Sequence, residues 1–141
     1  MPMHTSRGPL RQLAAQFLCF GVVGIVGFAI DVAVLSLGLA FGLDLYSGRA
    51  VSYVFAATGT WYGNRLFTFR NRRSPRPLGE WLRFLTVNLP GGAVNYGVYA
   101  VLVTHFPLFA AVPAFAVALG ALSGMIANFI GSWRIAFVHR A

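Results

Sequence analysis

The stretch AVSYVFAATGTWYGNRLFTF, running from Ala50 to Phe69, decides the fold. Its 20 residues include one charge, Arg65, close to the end. At about 1.5 Å per residue a helix of this length spans about 30 Å, the thickness of a bilayer's hydrocarbon core. Working outward, apolar segments at about 17–42, 82–104 and 108–134 join this one, read as 49–69, to predict four transmembrane helices. Gly42 to Gly48 reads as the first turn, with Arg49 counted to it, and His105 to Pro107 as a very tight second one. Between the halves lies Arg70-Asn-Arg-Arg-Ser-Pro-Arg-Pro, too basic and proline-rich to be helical throughout.

Composition supports an all-α membrane protein. Of 141 residues, 57% are hydrophobic and 10% charged, against about 25% charged in an ordinary soluble domain. The net charge is +8, and all 11 basic residues are arginine. Because these flank apolar runs, they point to anionic membrane lipids rather than to nucleic acid. Cys19 is the single cysteine, which excludes an intrachain disulfide or a cysteine-built zinc site. The run from Leu13 to Leu43 exceeds a signal-peptide core and reads as a retained first span. No metal-ligand set, catalytic triad or phosphate-binding loop is present, so neither an enzyme nor a cofactor is expected.

Arginine also orients the chain. Arg7 and Arg11 precede the first span, Arg70, Arg72, Arg73 and Arg76 lie in the middle loop, and Arg140 is near the C-terminus. The positive-inside rule then places both termini and the middle loop in the cytoplasm. The two halves resemble each other. A shift of 64 lays Phe17 on Trp81, Gly27 on Gly91 and Asp31 on Asn95, and a shift of 68 lays Gly63 on Gly131 and Asn64 on Ser132. The expected architecture is one membrane domain, 1–141, of two tandem parallel-oriented two-helix repeats, about 10–70 and 78–138, joined by the loop 70–77. Leu10, Leu13, Ala14 and Phe17, like Leu78, Trp81, Leu82 and Leu85, share a helical face. Each half is therefore expected to begin with an amphipathic turn at the inner membrane surface.

Polar residues at membrane depth are the candidate site. Asp31 is the one acidic residue inside a span, where an ionised group costs about 2.5–3.5 kcal/mol on insertion scales. It reads as a proton-coupling group, a partner for a buried arginine or a packing hydrogen bond, and Asn95 as packing. Thr60 and Asn64 share a face, as do Gly124, Asn128 and Ser132, and such faces either line a wet cleft or join helices. Arg65 and Arg134 lie just inside the inner boundary, placed to snorkel or to hold a lipid phosphate. Trp61, Trp81 and Trp133 read as interfacial belt residues or as an aromatic lining. Gly59/Gly63 and Gly120/Gly124 predict close helix approach within the bundle or across a homodimer.

Phe17-x-x-Phe-Gly-x-x-Gly leading to Asp31, Asn64-Arg65-x-x-Thr-Phe69-Arg70, Trp81-x-x-Phe84 and Asn128-Phe129 leading to Phe137 together resemble the GtrA-like family of four-helix membrane proteins. Thr60-Trp61 and Ser132-Trp133 depart from that family's usual Asn-Phe and Asn-Arg. The resemblance implies a multi-pass protein of the bacterial inner membrane that moves polyprenyl-phosphate-linked sugars for cell-surface polysaccharide, or assists a membrane glycosyltransferase as a scaffold. It makes Asn64, Arg65 and Arg70 headgroup candidates, with Asp31 and Asn128 behind them. A small proton-coupled exporter is the third reading, and the arginine-rich inner ends speak against it.

Overall fold

A computed structural model describes residues 8–68 and 73–136, with the side chains of 9, 13, 16, 17 and 128–136 outside the description. Every element among the described residues is helical: α1 (Pro9–Ala40), α2 (Leu45–Gly63), α3 (Pro77–His105), α4 (Pro107–Ala111) and α5 (Pro113–Ala136). A π-helical turn, Asn64–Thr68, prolongs α2. The segment Leu18–Ala40 of α1, 23 residues of mean hydropathy 2.5, is the one described helix long and apolar enough to cross a membrane by itself. Ser52, Thr58 and Thr60 dilute the apolar character of α2, Asn64 that of the π-helical turn, and Asn88 and Asn95 that of α3.

The turn after α1 is shorter than its sequence suggests. Gly42 adopts φ 93°, a conformation open to glycine at little cost. Around it Gly42 N–H donates to the Leu39 carbonyl (3.1 Å) and Leu43 N–H to that of Gly38 (2.9 Å), closing the helix with a Schellman motif. Asp44 caps α2: one carboxylate oxygen accepts from the N–H groups of Tyr46 (2.8 Å) and Ser47 (3.0 Å). The helix therefore starts at Leu45, and Arg49, counted above to an extramembrane turn, sits in its second turn. The other turn is as tight as expected, with Phe106 alone between α3 and α4, and the last helix is broken before Pro113. Both stretches expected to form amphipathic turns are helical and continuous with the segment that follows. α1 runs unbroken from Pro9 and α3 from Pro77, through Pro90.

Packing forms two hairpins, α1 with α2 and α3 with α5, and contact between them is sparser. Small residues set both crossings. A Cβ on Gly124 would fall 2.5 Å from the Gly91 carbonyl oxygen, and one on Gly120 2.7 Å from that of Asn95. In the first hairpin Gly27 lies against Thr60 and Ala56 in the same way. The crossings correspond at the offsets of 64 and 68: Gly27 and Ala56 in one, Gly91 and Gly124 in the other.

The distribution of polarity is inverted relative to a water-soluble bundle. Leu18, Val22, Ile25 and Val26 of α1 are exposed, as are Phe115, Leu122, Met125 and Ile126 of α5. Asp31, Arg49, Ser52, Asn64 and Asn95 are buried. An apolar exterior around a polar interior is what a hydrocarbon solvent selects, since polar groups must be satisfied inside the protein.

Candidate functional site

At the centre of the bundle stands Arg49, fully buried. One terminal nitrogen pairs with Asp31 Oδ1 and reaches Ser52 Oγ (3.3 Å), and the other donates to Asn95 Oδ1 (2.5 Å). The Ser52 hydroxyl donates to the same Asp31 oxygen (2.7 Å). The guanidinium carbon lies 5.3 Å from the ring centroid of Tyr99 and 5.9 Å from that of Tyr53, within cation–π range. Three helices thus share one charge network. Of the readings open for Asp31, the structure realises the partner of a buried arginine. Asn95, its counterpart across the 64-residue offset, serves the same guanidinium. Arg49 Nε has no hydrogen-bond partner among the described residues.

A second cluster lies at the other end of α2. Arg65 donates to Glu80 Oε2 (2.6 Å) and to the Ser74 carbonyl (3.0 Å), with its guanidinium 5.8 Å from the Trp61 ring centroid. Trp61 Nε1 donates to Glu80 Oε1 (3.2 Å), Ser74 N–H to Glu80 Oε2 (2.7 Å), and Trp81 Nε1 to Thr58 Oγ1 (3.1 Å). The Arg73 guanidinium donates to the carbonyls of Arg65 (3.0 Å) and Leu66 (3.3 Å) in the π-helical turn. These bonds clamp α2 to the start of α3. Arg65 and the two tryptophans thus act between helices, and the Arg65 guanidinium is already engaged by a carboxylate. Asn64 Oδ1 accepts from Thr68 Oγ1 (2.9 Å), while its amide nitrogen is buried without a partner among the described residues.

Between the two clusters a cleft of about 160 Å³ opens between the hairpins. Its walls include Gly24, Gly27 and Asp31 of α1, Tyr53, Ala56 and Thr60 of α2, and Phe84, Asn88 and Asn95 of α3. Asp31 and Asn95 form one end. Thr60 and Phe84 form the other, and Arg65 and Glu80 stand about one helical turn beyond them. The structure therefore brings Asp31, Thr60 and Asn95 to one cavity, with Trp61 and Arg65 at its margin. Arg70 lies outside the described residues, as do the side chains of Asn128, Ser132, Trp133 and Arg134. Arg49, Tyr53, Glu80 and Asn88 were not singled out as site residues by sequence reasoning, and Phe84 only as part of the motif Trp81-x-x-Phe84. A signal for Arg49 existed: it is the one arginine between Asp31 and Arg65, and a buried carboxylate needs a cation within reach.

Among known families, the model described as "GtrA/DPMS, transmembrane domain" matches residues 19–137. No curated protein and no solved structure matches the chain.

Proposed function

From the premise that this chain is a membrane protein of the GtrA/DPMS transmembrane-domain family, we propose that it moves a polyprenyl-phosphate-linked sugar across the bacterial inner membrane for cell-surface polysaccharide, without catalysing a reaction itself. One observation carries this reading: a polar cleft inside an apolar-faced bundle, held between the Asp31–Arg49–Asn95 network and the Arg65–Glu80 clamp. Such a cleft shelters a polar headgroup at membrane depth while an isoprenoid tail stays in lipid. The helices supply four spans, and both termini face the cytoplasm. With Arg49 withdrawn into the bundle, neither outer turn carries an arginine, which widens the charge contrast behind that orientation. At the inner rim the exposed Arg73, Arg76 and Arg83 supply positive charge for anionic lipids and the lipid phosphate. Arg65, Arg70, Arg134 and Asn64 belong to the same rim in this reading.

Reconstitution into liposomes with a fluorescent polyprenyl-phosphate hexose tests it. Flipping faster than in empty liposomes is the expected result. A rate equal to that of empty liposomes, with a membrane glycosyltransferase retained on purification, refutes transport and establishes the scaffold role. The mass of the detergent-solubilised protein would show whether it is a homodimer.

A further inference from the structure

The cleft's own chemistry points to a narrower selectivity than the lipid's phosphate suggests. Its lining offers hydrogen-bonding groups on Asp31, Asn95 and Thr60, and the rings of Tyr53 and Phe84. Among the described residues it offers no cation. The nearest one, Arg49, is enclosed behind Asp31 and shared among Asp31, Ser52 and Asn95. Both hydrogen bonds that Asp31 makes among the described residues fall on Oδ1, and Asp31 itself lines the cleft. An anion entering here would meet a carboxylate edge and lose its hydration without a partner, a steep penalty in a low-dielectric site. A hydroxyl-bearing ring instead donates to the carboxylate and packs an apolar face on the aromatic rings. The volume of about 160 Å³ is well below the several hundred Å³ of drug-sized sites, so it suits one ring rather than an oligosaccharide.

We propose that the cleft is a subsite for a single uncharged sugar ring, and that Asp31 makes it reject acidic sugars. The phosphate then stays at the rim with the exposed arginines. This rests on the transport reading above and assigns the two parts of the headgroup to different places.

Gly24 supplies the test. It lines the cleft, and a Cβ built there meets nothing within 4 Å, so Gly24→Leu fills the space without a clash at Cβ. Reconstituted protein is assayed with polyprenyl-phosphate hexose and polyprenyl-phosphate uronic acid, and binding of bare polyprenyl phosphate is measured alongside. The wild type should move the hexose lipid about tenfold or more faster than the uronic acid lipid. Gly24→Leu should lose that preference and most of the rate, with thermal stability and bare polyprenyl phosphate binding unchanged. The paired variant Asp31→Asn/Arg49→Gln, which removes both charges together, should narrow the discrimination. Equal rates for the two lipids, or an unaltered rate in a stably folded Gly24→Leu, overturn the proposal and leave transport standing. If the wild type moves neither lipid, the transport reading fails, and methyl hexoside against methyl uronate binding to the detergent-solubilised protein decides the subsite. Hexoside binding that Gly24→Leu abolishes upholds it, and binding of neither overturns it.

Discussion

Replacing Arg49 with methionine removes the guanidinium but keeps an unbranched stem in the space between Tyr53 and Tyr99. The structure sets the scale of the effect. Arg49 donates to Asp31, Ser52 and Asn95, and every one of those partners is buried. Without it the Asp31 carboxylate keeps the Ser52 hydroxyl alone, and Asn95 Oδ1 loses its charged donor. Removing one member of a buried pair costs about 3–5 kcal/mol, because the remaining charge is stranded rather than because the pair itself is strongly favourable. Removing both has a different consequence. Arg49→Met combined with Asp31→Leu leaves no buried charge, and such replacements range from neutral to stabilising. The double variant should therefore recover most of the loss, giving a coupling of several kcal/mol. Reversible unfolding in mixed detergent micelles, followed by tryptophan fluorescence, measures all the states of this cycle. The reasoning is refuted if Arg49→Met costs less than about 1 kcal/mol, or if the double variant is as unstable as the sum of the single ones.

Further outcomes follow from other contacts. Gly124→Leu should destabilise the second hairpin by about 1–3 kcal/mol or more, since its Cβ falls 2.5 Å from the Gly91 carbonyl oxygen, whereas Gly21→Ala, in open space, should be silent in the same unfolding assay. Tyr99→Phe removes the hydrogen bond from a buried ring to the Leu45 carbonyl (3.0 Å) and should cost about 0.5–1.5 kcal/mol. Asp44 lies outside the spans with its carboxyl pulled from 3.8 to about 2, first by the Ser47 hydroxyl and then by the N–H groups of Ser47 and Tyr46. A lowered folded value means the cap is fully present above 3.8 and lost as pH falls through about 2, so Asp44→Asn should flatten any stability change seen on acidification over that window. At the inner boundary burial raises the Glu80 carboxyl, but the Ser74 N–H and Arg65 outweigh it and hold it below 4.5. The clamp should therefore persist at neutral pH and loosen only on acidification below 4.5, and Glu80→Gln should show that loosening at neutral pH as faster proteolysis of the 73–76 loop.

Helical class and membrane character were legible because they depend on length, apolarity and the position of arginine along the chain. The pairing of Asp31 with Asn95 was legible too, through an internal offset that needs no coordinates. Two things were not. The start of α2 turns on the Schellman closure at Gly42 and the Asp44 cap, and a difference of a few residues there decides whether Arg49 faces water or the bundle. The role of Arg65 turns on Glu80, which is 15 residues distant and carries no local sign of its partner.

From Ala50 onward the sequence determined by itself that the segment would be helical, as α2 and the π-helical turn to Thr68 are, since a long, largely apolar run without Pro favours a helix that satisfies its own backbone hydrogen bonds. Only the tertiary structure decided which of its polar residues are held by partners and which face a cleft. Arg49 is matched by a carboxylate 18 residues earlier, Arg65 by one 15 residues later, and Thr60 between them opens on the cavity. Burial of a charge is a property of everything packed around it, and that packing joins helices that are separate in the sequence.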